Sequence, residues 1–277
     1  MRGTVLRTKV AIPVVALYTA WQAEGLPTLH NALLTAVDFD EDRVAEGDVS
    51  GLSDLVRRAW AELERLGLAR GRQVHADLAK SLRLIADAGT EYYAFFNQDD
   101  GDTRTALVAQ SGDDALRVVL RPDKHFVLEP VRAQDAVQSL LSALPEAKPG
   151  RGGVLSLPAD ALEDKPRRRQ FNDDDGGSFL QASRPTGTYV AEVQNIRKLL
   201  AEKRTGGGQL YAARRDRFGR KQRCATPLTF FDTITGRYVS AKSKGGDGTP
   251  WITVQPADFA TLQNRMRQLS ADAAPRG

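Results

Sequence analysis

Gly208-Gln209-Leu210-Tyr211-Ala212-Ala213-Arg214-Arg215-Asp216, Phe231-Asp232-Thr233-Ile234-Thr235-Gly236-Arg237-Tyr238 and Trp251-Ile252-Thr253-Val254-Gln255-Pro256-Ala257-Asp258 are the strings that decide the fold. The first reads as a strand. In the second, Asp232 and Thr233 start a turn through side-chain-to-backbone hydrogen bonds, and Gly236 suits the left-handed position that closes a short hairpin. Arg237 and Tyr238 then project to opposite faces of the returning strand. The third is a strand that Pro256 ends, followed by a capped helix. These strings hold no nucleophile–base pair, no metal-ligand cluster and no complete phosphate loop. They build a shape, which points to a binding protein and away from an enzyme.

Upstream, the first 90 residues read as helical. Leu52, Leu55, Val56, Ala59, Trp60, Leu63 and Leu66 lay one apolar stripe on a helix, with Ser53 as its N-cap and Gly67 as its stop. A shorter helix follows, with Asp77 near its start and Leu78, Leu82 and Ile85 inward. Residues 13–37 read as one helix, or two short ones around Gly25-Leu26-Pro27. From Glu91 the period changes. Residues 92–97, 103–110, 115–121 and 125–129 are four strand-like runs, separated by acidic turns such as Asp99-Asp100-Gly101-Asp102. Pro130 ends the fourth, and residues 131–144 read as a helix with Val137, Leu140, Leu141 and Leu144 inward.

A second pass repeats this order. A helix with Val193, Ile196, Leu199 and Leu200 leads through a flexible turn, Gly206-Gly207-Gly208, into four strands and a last helix with Leu262, Met266 and Leu269. Pro130 and Pro256 occupy matching places. The expected fold is α+β: a single domain over residues 1–277, made of two quasi-symmetric halves, about 1–145 and 186–272, around a central antiparallel sheet flanked by helices. Between the halves, residues 146–185 carry Lys165-Pro166-Arg167-Arg168-Arg169 and Asp173-Asp174-Asp175, and read as a charged, flexible connection.

The chain has 277 residues, 41% hydrophobic and 27% charged, the composition of a globular protein and not of a disordered one. One cysteine, Cys224, excludes an intramolecular disulfide and fits a reducing, cytoplasmic setting. Arg2, Arg7 and Lys9 before the apolar residues 10–17 loosely imitate a signal peptide, but Pro13 interrupts that run. The net charge of +4 is uneven: from Thr186 on there are 16 Lys/Arg against 7 Asp/Glu. Such a basic third suits an anionic partner, or an acidic first half of the same fold.

Candidate chemistry is thin. His30, His75 and His125 lie far apart without partners at ligand spacing, so no metal is expected. Cys224 reads as a bystander thiol. Gly206-Gly207-Gly208 lacks the lysine and the hydroxyl residue of a P-loop and precedes a strand. Arg214, Arg215, Arg217, Arg220, Lys221 and Arg223, interleaved with Tyr211 and Phe218, form the densest basic patch. That hairpin supports an alternative function, nucleic-acid binding by stacking and phosphate contact. The helices at 53–66 and 77–86 are joined by too long a connection for a helix-turn-helix.

Gly208-Gln209, Arg214-Arg215-Asp216, Gly219-Arg220, Asp232-Thr233, Gly236-Arg237-Tyr238 and Val254 with Pro256-Ala257-Asp258 resemble the C-terminal signature of the EspG family, cytosolic chaperones of type VII (ESX) secretion. Weaker similarity runs upstream through Leu63, Leu66-Gly67-Leu68, Leu78–Leu84, Val108-Ala109 and Leu144-Pro145. The resemblance implies no catalysis and no cofactor. It implies binding to the apolar helical tip of PE–PPE-like or other helical secreted substrates through the sheet and the C-terminal helices, without membrane insertion. Gly208, Gln209, Asp232, Thr233, Gly236 and Pro256 are then signature residues of mostly structural role. By position, Thr229, Phe230, Arg237, Tyr238, Leu262 and Met266 are the expected partner-binding residues.

Overall fold

The computed structural model describes residues 5–34, 49–99, 101–162 and 187–273. Strand β1 (Val10–Pro13) leads into helices α1 (Val14–Ala23), α2 (Asn31–Leu34) and α3 (Val49–Arg65). A two-residue hairpin, β2 (Ala69–Arg70) and β3 (Gln73–Val74), precedes α4 (Ala76–Ala86). The first meander follows: β4 (Thr90–Gln98), β5 (Arg104–Ser111), β6 (Asp114–Leu120) and β7 (His125–Arg132), then α5 (Ala136–Leu141). The second run is β8 (Leu155–Pro158), α6 (Gly187–Ala201), β9 (Arg204–Arg215), β10 (Lys221–Arg223), β11 (Leu228–Thr233), β12 (Gly236–Lys244), β13 (Pro250–Pro256) and α7 (Phe259–Asp272).

One antiparallel sheet holds eleven strands in the order β1-β7-β6-β5-β4-β9-β11-β12-β13-β8, with β10 on β9. Outward from the β4–β9 junction, each side runs through three further meander strands and ends on a short strand that precedes its own helix or helices. The correspondence is one of strand order. The fold is α+β, with helices on both faces of the sheet.

Local signals explain the helix ends. At the end of α3, the Gly67 amide bonds to the Glu64 carbonyl and the Leu68 amide reaches back to Leu63. This needs Gly67 in the left-handed region, φ +70°, and it buries Leu68 beside Leu63. His75 Nδ1 accepts the Asp77 amide at 3.2 Å as the cap of α4, and Asp258 accepts the Thr261 amide at 2.7 Å as the cap of α7. Ser53, expected as a cap, lies inside α3, which begins at Val49.

Both prolines belong to their strands instead of ending them. Pro130 pairs with Leu116 and Pro256 with Tyr238. Each lies past the stretch that the edge strand covers: β1 reaches only residues 125–128 of β7, and β8 only 251–254 of β13. A missing N–H costs nothing on that open side. The helix after Pro130 accordingly starts late, at Ala136.

Three apolar layers hold the molecule. On one face, α1–α4 pack Trp21, Leu63, Leu78, Leu82 and Ile85 against Leu107, Leu116, Phe126 and Leu128. On the opposite face, α5 and α7 pack Leu140, Leu262 and Met266 against Ala94, Val108, Leu210 and Phe230. A small third layer, on the α1–α4 face of the far side of the sheet, sets Leu199 of α6 on Phe231, Tyr238 and Val254. Each fully buried large side chain contributes about 1.5–3 kcal/mol.

Candidate functional site

The β11–β12 turn is built on a buried ion pair. Arg237 donates from Nε and Nη2 to the two carboxylate oxygens of Asp232, both at 2.7 Å, and from Nη2 to the Pro145 carbonyl at 2.8 Å. Its guanidinium also lies over the Phe230 ring, 4.8 Å from the centroid. Its backbone bonds to Lys148, Gly150 and Ala257. Thr233 Oγ1 accepts the Thr235 amide at 3.1 Å. A Cβ on Gly236, at φ +125°, would stand 2.7 Å from the carbonyl oxygens of Lys148 and Pro149, so glycine is required there. On the other face Tyr238 accepts the Arg151 amide at 2.9 Å and donates to the Arg151 carbonyl at 3.1 Å. This knot ties residues 145–151 to the sheet. Of the expected connection over 146–185, Leu155–Pro158 form β8, and residues 163–186 are outside the described ones.

The expected partner-binding residues are mostly core. Phe230 is 1% exposed and Met266 0%, and Leu262, Arg237 and Tyr238 are also buried. Phe230, Leu262 and Met266 face one another between sheet and α7, while Tyr238 lies stacked on Phe231 in the layer under α6. As they stand they offer a partner no surface. Thr229 differs, because its neighbours in the strand alternate to the other face, and it is half-buried at an opening.

That opening is the candidate site. On the α1–α4 face, the helix layer reaches Tyr211 and Ala213 of β9 and α6 covers Phe231 of β11, which leaves a short open strip at Gln209, exposed, and Thr229, half-buried. A row of side chains crosses it in register: Phe95 opposite Gln209, Gln209 opposite Thr229, Thr229 opposite Ser240. At one end the strip deepens into a cleft of about 460 Å³ between Asn97, Leu200, Arg204, Thr229 and Ser240. Gly206 and Gly207 form part of its lining. Gly206, Gly207 and Gly208, expected to form a flexible turn, are instead paired strand. They have no room for side chains: a Cβ on Gly208 would meet Phe96 Cβ at 2.7 Å and the Phe230 ring at 2.9 Å. The strip offers ring edges, two amides and two hydroxyls, groups that suit binding.

An EspG family model matches residues 13–268. The chain belongs to the EspG family. No curated protein matches it. Among solved structures, it resembles the Mycobacterium tuberculosis type VII secretion system chaperone EspG5, determined in complex with a PE25–PPE41 dimer. The likeness covers 98% of both chains at 15% identity, with a TM-score of 0.63. At that identity the likeness is one of fold.

Elsewhere in this EspG protein, the base of the β9–β10 hairpin encloses a carboxylate that the sequence did not signal. Glu91, 2% exposed, sits 3.3 Å from His30 Nε2 and pairs with Lys221. Burial pushes its carboxyl up, and the contacts to His30 and Lys221 outweigh this and hold it below the usual value. Tyr93, buried beside it, is pushed up to about 12. Burial also raises the Cys224 thiol, which opposes thiolate chemistry. Tyr211 is already stacked on Tyr93, with centroids 4.9 Å apart, and Arg223 lies over it at 5.3 Å. It is not an open platform for a base, which weakens the nucleic-acid alternative.

Proposed function

We propose that this EspG protein is a non-catalytic chaperone of type VII secretion that binds the apolar helical tip of a PE–PPE-like pair in the cytoplasm and keeps it soluble for export. Family membership supports this reading, as does the shared fold with EspG5, whose solved complex holds PE25–PPE41. Among the described residues no helix is long and apolar enough to cross a membrane.

The observation that carries the reading is the open strip around Gln209 of β9 and Thr229 of β11. The turn joining two helices exposes apolar side chains together with backbone N–H and C=O groups that no helical partner satisfies. Phe95 and the aliphatic Leu200 meet the first need. Asn97, Gln209, Thr229 and Ser240 meet the second. The glycine lining lets a partner approach β9 closely.

Thr229→Arg combined with Gln209→Arg is expected to weaken binding of a PE–PPE-like client pair at least about tenfold, as loss of a hot spot does. The variant should melt within about 2 °C of the parent, because Gln209 is exposed and Thr229 faces the opening. Titration calorimetry with the purified pair reads the result, and unchanged affinity would place the client elsewhere.

A further inference from the structure

Beyond the client strip, the tip of the β9–β10 hairpin has the chemistry of a second docking point. Residues 217–220 are all exposed, and Phe218 is 68% exposed. A lone exposed apolar residue is ordinary on a protein surface. This one is held rigid among cations. The Asp216 carboxylate accepts the Phe218 amide at 2.8 Å, the Arg220 amide at 2.9 Å and Arg220 Nε at 2.7 Å. Beneath the tip, Arg215 donates to the carbonyls of Ala86 at 2.8 Å and Ala88 at 3.2 Å, which fastens the hairpin to the end of α4. Lys221 pairs with the buried Glu91. The guanidiniums of Arg217 and Arg220 lie over the Phe218 ring, 4.8 and 5.4 Å from its centroid.

We propose that this tip docks on an acidic protein segment, with the Phe218 ring edge entering an apolar socket and Arg217 and Arg220 taking carboxylates on its rim. Guanidiniums match carboxylates in geometry as well as charge. A hairpin already fixed in shape has little ordering entropy left to lose on binding. Nucleic acid fits less well: stacking needs a free ring face, and two guanidiniums already lie over Phe218. The tip is roughly 20 Å or more along β9 from Gln209, given about 3.3 Å per residue. Client and acidic partner can therefore be bound at once, as a chaperone that hands cargo to a receptor requires.

The test uses the full chain and four labelled probes in fluorescence anisotropy or co-sedimentation. They are a peptide of alternating Glu and Leu, a polyglutamate peptide of equal length, a 20-nucleotide single-stranded DNA, and vesicles containing phosphatidylglycerol. The Glu–Leu peptide is expected to bind best, to lose affinity with salt, and to weaken at least about tenfold with Phe218→Ser or Arg217→Ser. Polyglutamate should bind more weakly and ignore Phe218→Ser. PE–PPE binding should survive both variants, which separates this site from the strip. Tighter binding of DNA or of the vesicles, or peptide binding indifferent to Phe218, would overturn the proposal.

Discussion

Asp232→Ala is expected to destabilise the protein by about 3–5 kcal/mol, the cost of leaving one partner of a buried ion pair unpaired. The stranded group is the Arg237 guanidinium, buried between Phe230 and the Pro145 carbonyl, and Asp232 is its ion-pair partner among the described residues. In a chain of this size the loss corresponds to a fall in Tm of roughly 10 °C. Arg237→Met should cost a similar amount, because it leaves the Asp232 carboxylate buried and alone. The double variant Asp232→Leu with Arg237→Met should cost much less than the two singles together, since removing both charges also removes the desolvation penalty. Denaturant melts of the three variants check this. Additive losses would mean that the pair is not the organising element of the β11–β12 turn.

Gly208→Val should be as damaging for a steric reason. Gly208 pairs with Phe96 on one side and Phe230 on the other, at the centre of the sheet. A side chain there must displace Phe96 and the Phe230 ring, with the Phe95 carbonyl also in its way. Overpacking of this kind costs about 1–3 kcal/mol for a methyl group and more for a branched side chain. Gly208→Ala is thus expected to lower the melting temperature clearly, and Gly208→Val to leave little soluble protein. Gly246→Ala is the control: nothing lies within 4 Å of its added Cβ, and the change should stay within about 0.5 kcal/mol of the parent. Equal stability of the Gly208 and Gly246 variants would contradict the strand pairing described here.

Much of the fold was legible where the signal is local. The stripe through Leu55, Ala59 and Leu63, the stop at Gly67, and the acidic turns between β4, β5 and β6 depend on neighbours a few residues away. So does the Asp258 cap. The edge strands were not legible. Val10–Pro13 resembles part of a leader and part of a helix, because four apolar residues before a helix carry no period of their own. Gly206, Gly207 and Gly208 have the composition of a turn, and only the approach of Phe95, Phe96 and Phe230 from neighbouring strands makes them strand.

The candidate site was half legible for the same reason. The signature Asp232, Thr233, Gly236 and Arg237 correctly announced a tight hairpin, and the resemblance it carried is matched by the family model over residues 13–268. Alternation in β11 separates Thr229 from Phe230, but which of the two faces solvent depends on where α7 packs, some thirty residues later. Phe230, Leu262 and Met266 therefore looked like a docking face and are core. Gln209, a signature residue expected to be mostly structural, stands exposed beside Thr229.

Site-specific photocrosslinking tests the central claim most directly. A photoreactive phenylalanine is placed at Gln209 on the strip, or at Arg58 on the outer side of α3, and each variant is irradiated with the PE–PPE pair. The account predicts an adduct from position 209 that maps to the helical tip of the PPE-like chain, and none from position 58. An adduct from position 58 alone would contradict it.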